Sequence, residues 1–288
     1  MRGQSLNLQN SFSLEVNNFS LEKTFNCGQT FRFFKEGNTY YYPYNDTLLE
    51  IKEVPLKNNV RLDVKAICKE MSKDEFENIF GISHHIKSIN QRIIEIAPQM
   101  EEAVLFSNGI RLIKMPVFET TVSFLFSIQS QIPVIQARLN KLAMLGKRSV
   151  TISGSKFYLF PHREDMLKFS YEDIASLHLG FREKFFINFI KNYTEDDLEA
   201  LRDASYEEKK QFLMSILGIG EKVSECIILF GYGDLSAFPV DTWIIRGMKH
   251  FFGINGTTKK LTEFGRKTFG EVSGYAQQYI YYYMRLLS

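Results

Sequence analysis

The chain of 288 residues is poor in cysteine, in net charge and in unbroken apolar sequence. Its three cysteines, Cys27, Cys68 and Cys226, are far apart, which excludes a disulfide framework and the usual zinc spacing. It also excludes the four clustered thiolates of an iron–sulfur centre. Reduced thiols in an intracellular protein are the expected state. No apolar run reaches the roughly 18 residues that a membrane helix needs, so no membrane partner is expected. Met1 to Asn10 is polar and has no apolar leader core, so no secretory signal is expected. Net charge is +2, without the strong basic excess that marks a nucleic-acid-binding domain. From residue 205 to the end, ten Lys and Arg face eight Asp and Glu, so any positive surface is local.

What is present is ordinary for a globular protein: 44% hydrophobic and 24% charged residues. The length allows two or three modest domains. Aromatics are plentiful, with 26 Phe and 14 Tyr. Most are expected in the core, and a few could stack on bases.

Up to about residue 62 the pattern is strand-like. Phe31 to Phe34 and Thr39 to Tyr42 flank Glu36-Gly37-Asn38, which reads as a hairpin turn, and Leu48 to Val54 reads as a third strand. Asp63 to Phe80 and Ser83 to Ala97 read as helices, and Gly109 to Lys114 as a short extended segment. Met115-Pro116 is the expected boundary, since proline suits the first turn of a helix. Beyond it, helical periodicity recurs over 117–128, 132–145, 170–175, 181–192, 206–217, 222–230, 242–252 and 273–287. The expected fold is α+β: an N-terminal antiparallel sheet domain with helices over 1–114, then an all-α remainder over 115–288.

The chemistry concentrates in Leu217-Gly218-Ile219-Gly220-Glu221-Lys222-Val223. Glycines permit a sharp turn between two helices, and the second helix presents unpaired N–H groups at its start. Such a hairpin, expected over about 207–230, suits a DNA phosphate, though an ordinary glycine-capped turn reads the same way. Lys222 lies against the helix dipole, which favours the nucleophilic amine over the ammonium form. The alternative is a lysine that contacts a phosphate. Nineteen residues on, Asp241 follows Pro239-Val240 and is placed to cap the next helix. A carboxylate held there could also stabilise positive charge on a sugar or take a proton.

Leu217 to Phe230 with Phe238-Pro239-Val240-Asp241 resembles the helix-hairpin-helix, Gly/Pro-Asp superfamily of DNA glycosylases, in the lysine form of its bifunctional members. Three further blocks narrow the resemblance. Asn26-Cys27-Gly28-Gln29-Thr30-Phe31-Arg32-Phe33, Leu179-Gly180-Phe181-Arg182 and Gly274-Tyr275-Ala276-Gln277 are similar to segments of 8-oxoguanine DNA glycosylases, in the same order.

That resemblance implies two helical subdomains after the sheet domain, and duplex DNA containing an oxidised guanine as partner. It implies base excision repair by a monomer that works with the chromosome. Lys222 would be the nucleophile and Asp241 its supporting carboxylate. Gly28 would present a main-chain carbonyl to the N7–H that distinguishes the oxidised base. Cys226 and Tyr281 would stack on its two faces, and Gln277 would read its pairing edge. Core packing is the alternative for Cys226 and Tyr281. Phe181 would wedge into the duplex and Arg182 would contact the orphaned cytosine. Gly218, Gly220 and Val223 would offer N–H groups to phosphates. Trp243 stands where many relatives have a phosphate-contacting histidine. Gln129 would fill the gap left by the flipped base. Val134 stands where relatives carry an arginine that reads the opposite cytosine, so relaxed opposite-base discrimination is expected. No metal or cofactor is required for the chemistry, although several relatives hold a monovalent cation on hairpin carbonyls. The competing functions are a glycosylase for another damaged purine and a non-catalytic hairpin module that binds DNA.

Overall fold

The computed structural model describes residues 9–57 and 59–287. The polar segment 1–8 that entered the secretion argument, and Ser288, lie outside those residues. The chain begins with β1 (Gln9–Val16) and α1 (Leu21–Asn26), followed by β2 (Phe34–Glu36), β3 (Thr39–Tyr44), β4 (Thr47–Pro55) and β5 (Val60–Ile67). These strands form one antiparallel sheet in the order β1-β5-β4-β3-β2. Glu36 pairs with Thr39, so the expected hairpin turns on Gly37-Asn38.

Two expectations need correction here. Residues 63–67 belong to the strand β5, not to the start of a helix, and the helix begins at Lys73 as α2 (Lys73–Ile79). The period-two burial of Val60-Arg61-Leu62-Asp63-Val64-Lys65-Ala66-Ile67 is the deciding pattern, with Leu62, Val64 and Ala66 buried. Segment 31–33 lies outside the ladder, and its Phe31 and Arg32 are buried.

Next come α3 (Ile86–Ile96), α4 (Glu101–Phe106), α5 (Val117–Ser127) and α6 (Ile132–Gly146). The remainder is not wholly helical. A hairpin of β6 (Ser149–Ile152) and β7 (Ser155–Tyr158) follows α6. Its Val150 and Phe157 share a small apolar cluster with Tyr41, Leu48 and Ile67 of the large sheet. The hairpin therefore packs back across the expected boundary at Met115-Pro116. The rest is helical: α7 (Arg163–Met166), α8 (Tyr171–Ala175), α9 (Glu183–Asn192), α10 (Glu195–Glu199), α11 (Tyr206–Ser215), α12 (Glu221–Ile227), α13 (Thr242–Phe252), α14 (Thr258–Phe269) and α15 (Ser273–Leu287). The helix α14 is absent from the sequence reading, despite the Thr257 hydroxyl that caps Lys260 N.

One core runs from the sheet through the helices. Within it α15 is buried on nearly all sides, from Ser273 to Ile280. It lies against α13, α14 and α4, and so brings the C-terminal residues beside the N-terminal segment that holds Gly28.

Candidate active site

Four of the pieces of chain around a cavity of about 110 Å³ carry the residues expected for chemistry, and α5 and α6 also line it. The α1 end gives Cys27 and Gly28, α12 gives Lys222 and Cys226, the α13 approach gives Pro239 and Asp241, and α15 gives Gln277, Gln278 and Tyr281. All six residues expected for catalysis and the base pocket line this one cavity.

The lysine is placed by the hairpin. Gly218 has φ +94, and a Cβ there would sit 2.5 Å from the Phe185 ring, so any larger residue meets both strain and collision. Gly220 is the cap of α12 in extended backbone. The first internal bond of α12 runs from Ser224 N to Gly220 O, which leaves the N–H groups of Glu221, Lys222 and Val223 outside the helix ladder. Lys222 Nζ lies 3.5 Å from Ser127 Oγ and 5.3 Å from the centre of the Phe124 ring, both on α5.

Asp241 Oδ1 accepts the N–H groups of Trp243 and Ile244, each at 2.9 Å. It therefore caps α13 and lines the cavity at once. Burial raises its pKa above the ordinary aspartate value, against the opposing pull of those N–H groups and of Lys222. A carboxyl in that state exchanges a proton more readily than a surface aspartate.

The walls are suited to a flat, polar-edged ring. Burial pushes the Cys226 thiol up to about 12, so it stays neutral and presents a soft surface. Burial likewise pushes the Tyr281 phenol up to about 12. Gly28 has φ +80, and a Cβ there would lie 2.7 Å from Tyr281 Oη. Glycine is needed for the turn and for the approach of Tyr281. Gln277 is buried, and its Oε1 has no partner. An unpaired buried acceptor in a cavity wall costs about 1–3 kcal/mol unless a ligand supplies a donor.

Residues 11–121 match the N-terminal domain of 8-oxoguanine DNA glycosylases. A probable N-glycosylase/DNA lyase of Methanothermobacter thermautotrophicus is 25% identical, over 94% of this chain and 95% of that one. The structure of MBOgg1 in complex with a low-affinity DNA ligand superposes with TM-score 0.87 at 28% identity, over 97% of this chain and 99% of that one. The Clostridium acetobutylicum 8-oxoguanine glycosylase/lyase, bound to duplex DNA with cytosine opposite 8-oxoguanine, gives 0.84 at 27% identity, over 98% and 99%. Residues 11–121 thus carry an 8-oxoguanine DNA glycosylase N-terminal domain, and the chain is similar over nearly its whole length to N-glycosylase/DNA lyases.

The residues expected on the DNA side of this glycosylase are placed unevenly. Phe181 is 46% exposed, as a wedge requires. Gln129 is exposed with φ +47. Arg182 is buried, and its guanidinium donates to the carbonyls of Ile128, Leu179 (3.1 Å) and Gln129 (2.9 Å). It fastens the Gln129 loop through these carbonyls. Trp243 spends its N–H on Asp241, and its ring carries the Arg246 guanidinium at 4.9 Å. Val223 is buried, so only its main chain is available to a ligand.

Sequence reasoning missed residues that hold the site. Gln29 is fully buried; its Nε2 donates to Thr24 O (2.7 Å) and Arg111 O (2.8 Å), and its Oε1 accepts from Ile113 N (2.7 Å). Arg32 pairs with Glu119 at 3.2 Å. Both stand inside the Gly28 block, which was the available signal. Ser127, Phe124 and Gln278 carried no local signal, because each matters through a neighbour distant in sequence.

Proposed function

We propose that this protein is a bifunctional glycosylase and AP lyase that excises 8-oxoguanine from duplex DNA. The convergence of Lys222, Asp241, Gly28, Cys226, Gln277 and Tyr281 on one cavity carries the reading. The flipped base enters between Cys226 and Tyr281. Its pairing edge offers N–H donors, which suit the unpaired Oε1 of Gln277. Its N7–H donates to the Gly28 carbonyl; normal guanine has an acceptor at N7 and gains nothing there.

The Lys222 amine attacks C1′, the C1′–N9 bond breaks, and the base leaves with the bonding pair and gains a proton. Asp241 stabilises the positive charge that builds on the sugar and moves protons to and from Lys222. The sugar ring opens to a Schiff base on Lys222. Loss of a C2′ proton then breaks the C3′–O3′ bond and releases the 3′ phosphate strand. Water hydrolyses the imine and frees the lysine.

Relaxed opposite-base discrimination belongs to the same proposal. Val134 is 42% exposed and has no donor. Arg138, one turn along α6, gives its donors to Ser130 Oγ (2.8 Å) and His178 O (2.7 Å). With Arg182 also tied to main-chain carbonyls, Val134 leaves no side-chain donor at the position expected to read the orphaned cytosine.

A monovalent cation at the hairpin remains an optional part of the proposal, and no step depends on it. Among the described residues no cluster of three His, Cys, Asp or Glu forms a metal site, so main-chain oxygens would be its ligands. Also among those residues, no helix is long and apolar enough to cross a membrane. An enzyme with this substrate works beside the chromosome inside the cell, and the lining of this cavity comes from one chain.

Borohydride trapping on an 8-oxoguanine:cytosine duplex tests the reading. Wild type leaves a covalent adduct and Lys222→Gln leaves none. Tight duplex binding without any adduct would instead favour a hairpin binding module. Trapping on another damaged purine alone would move the substrate assignment.

A further inference from the structure

We propose that Gln278 is a positioning residue that aims the Gly28 carbonyl at the flipped base. The proposal rests on the reading that this cavity takes 8-oxoguanine and that Gly28 senses its N7–H.

Gln278 is 2% exposed, lines the cavity, and donates through Nε2 to the carbonyl of Cys27. Cys27 ends α1 and is itself fully buried. A buried carbonyl at a helix end needs a partner, and α15 supplies it. Two turns further on, Arg285 Nη1 donates to Asn26 O at 3.1 Å. Tyr281 lies between the two and presses against Gly28. Residues 278, 281 and 285 share one helical face, and that face grips Asn26, Cys27 and Gly28 in turn.

Gly28 has no side chain with which to fix its own orientation. Its flanks must do so. Gln29 holds the C-terminal flank through three hydrogen bonds. Gln278 holds the peptide plane on the N-terminal flank. Without it, that plane can tilt at a residue already at φ +80, and the carbonyl that separates the oxidised from the normal base loses its aim. The neighbour Gln277 acts differently: its acceptor has no protein partner and is open to the base. Two adjacent glutamines on α15 therefore divide the work, one for the base and one for the backbone that reads it.

The test compares two reactions of the same protein. Base excision needs the aimed carbonyl, whereas nicking of a preformed abasic site has no base to read. Gln278→Leu should slow single-turnover excision of 8-oxoguanine about tenfold or more and leave abasic-site nicking within about twofold, the consequence of one lost orienting hydrogen bond. In the Lys222→Gln background it should reduce the binding preference for 8-oxoguanine over guanine duplex. Gln278→Glu keeps the shape but loses the donor when ionised. Its deficit relative to wild type should shrink as pH falls and the carboxyl gains a proton. Should the leucine variant fail to fold, the glutamate variant decides. Unchanged excision and preference, or equal losses in excision and abasic nicking, would overturn the proposal. Wild type without excision would instead overturn the underlying functional reading.

Discussion

Glu225 Oε2 accepts the main-chain N–H of Phe238 at 2.8 Å, which ties the helix of Lys222 to the loop of Asp241. The carboxylate is fully buried, and its other oxygen accepts from Lys210 Nζ (3.0 Å) and Tyr206 Oη. The Phe238 carbonyl is held in turn by Thr262 Oγ1 at 3.2 Å. Lys222 and Asp241 are thus set relative to each other by a residue outside the cavity lining. Glu225→Ala should lower unfolding stability by about 3 kcal/mol, near the lower end for breaking a buried ion pair because Lys210 keeps Glu221. Denaturant unfolding measures the loss, and an effect below about 1 kcal/mol would refute the tie.

Asp241 gives a prediction with a definite pH direction. Its carboxyl is raised above the ordinary 3.8 by burial. The ionised form therefore disappears as pH falls through a value higher than that of a free aspartate. Base excision should decline on the acid side at that higher pH. Asp241→Asn should slow excision about 10²-fold or more, within the range for a lost acid–base group, and flatten the acid limb. The asparagine oxygen can still cap α13, so stability should change by under about 1 kcal/mol. A pH–rate profile with thermal unfolding separates the two effects.

At Gly28 the prediction concerns shape. Gly28→Ala places a Cβ 2.7 Å from Tyr281 Oη at φ +80. The strain should cost about 1–3 kcal/mol and push Tyr281 out of place. Excision should fall while abasic-site nicking persists. The double variant Gly28→Ala, Tyr281→Ala should recover stability relative to the single variant, as a double-mutant cycle would show.

Val134→Arg should raise opposite-base discrimination above that of the wild type. A new bidentate contact to the opposite base is worth about 1–3 kcal/mol. Excision opposite cytosine should then exceed excision opposite the other bases by about 5- to 150-fold. The wild type should cut opposite all four at comparable rates, and a strict cytosine requirement would refute that part of the proposal.

The sequence made the chemistry legible where spacing along one helix or turn sufficed. Lys222 and Cys226 stand one turn apart, as do Gln277 and Tyr281, and each pair does share a face towards the cavity. Helices with a firm cap or period, such as α5, α13 and α15, lie where periodicity placed them. The second half of β5, from Asp63, reads as helix because so short a stretch tolerates either period, and pairing with β1 and β4 selects the strand. The β6–β7 hairpin was missed because its apolar residues are few, and they find their partners in Tyr41 and Leu48, over a hundred residues earlier. Arg182 donates to the carbonyls of Ile128 and Gln129, more than fifty residues earlier, and no local pattern names those partners.

By itself the sequence determined the inventory: a lysine after a glycine hairpin, a capping aspartate, a glycine in a tight turn, and a paired glutamine and tyrosine. These are local properties, fixed by backbone geometry and helical period. The tertiary structure decided which of them meet. The bond from Gln278 to Cys27 spans 251 positions, and the bond from Glu225 to Phe238 joins a helix to a loop. Such contacts depend on how the whole core closes, because burial leaves each polar group one acceptable partner and no local pattern names it.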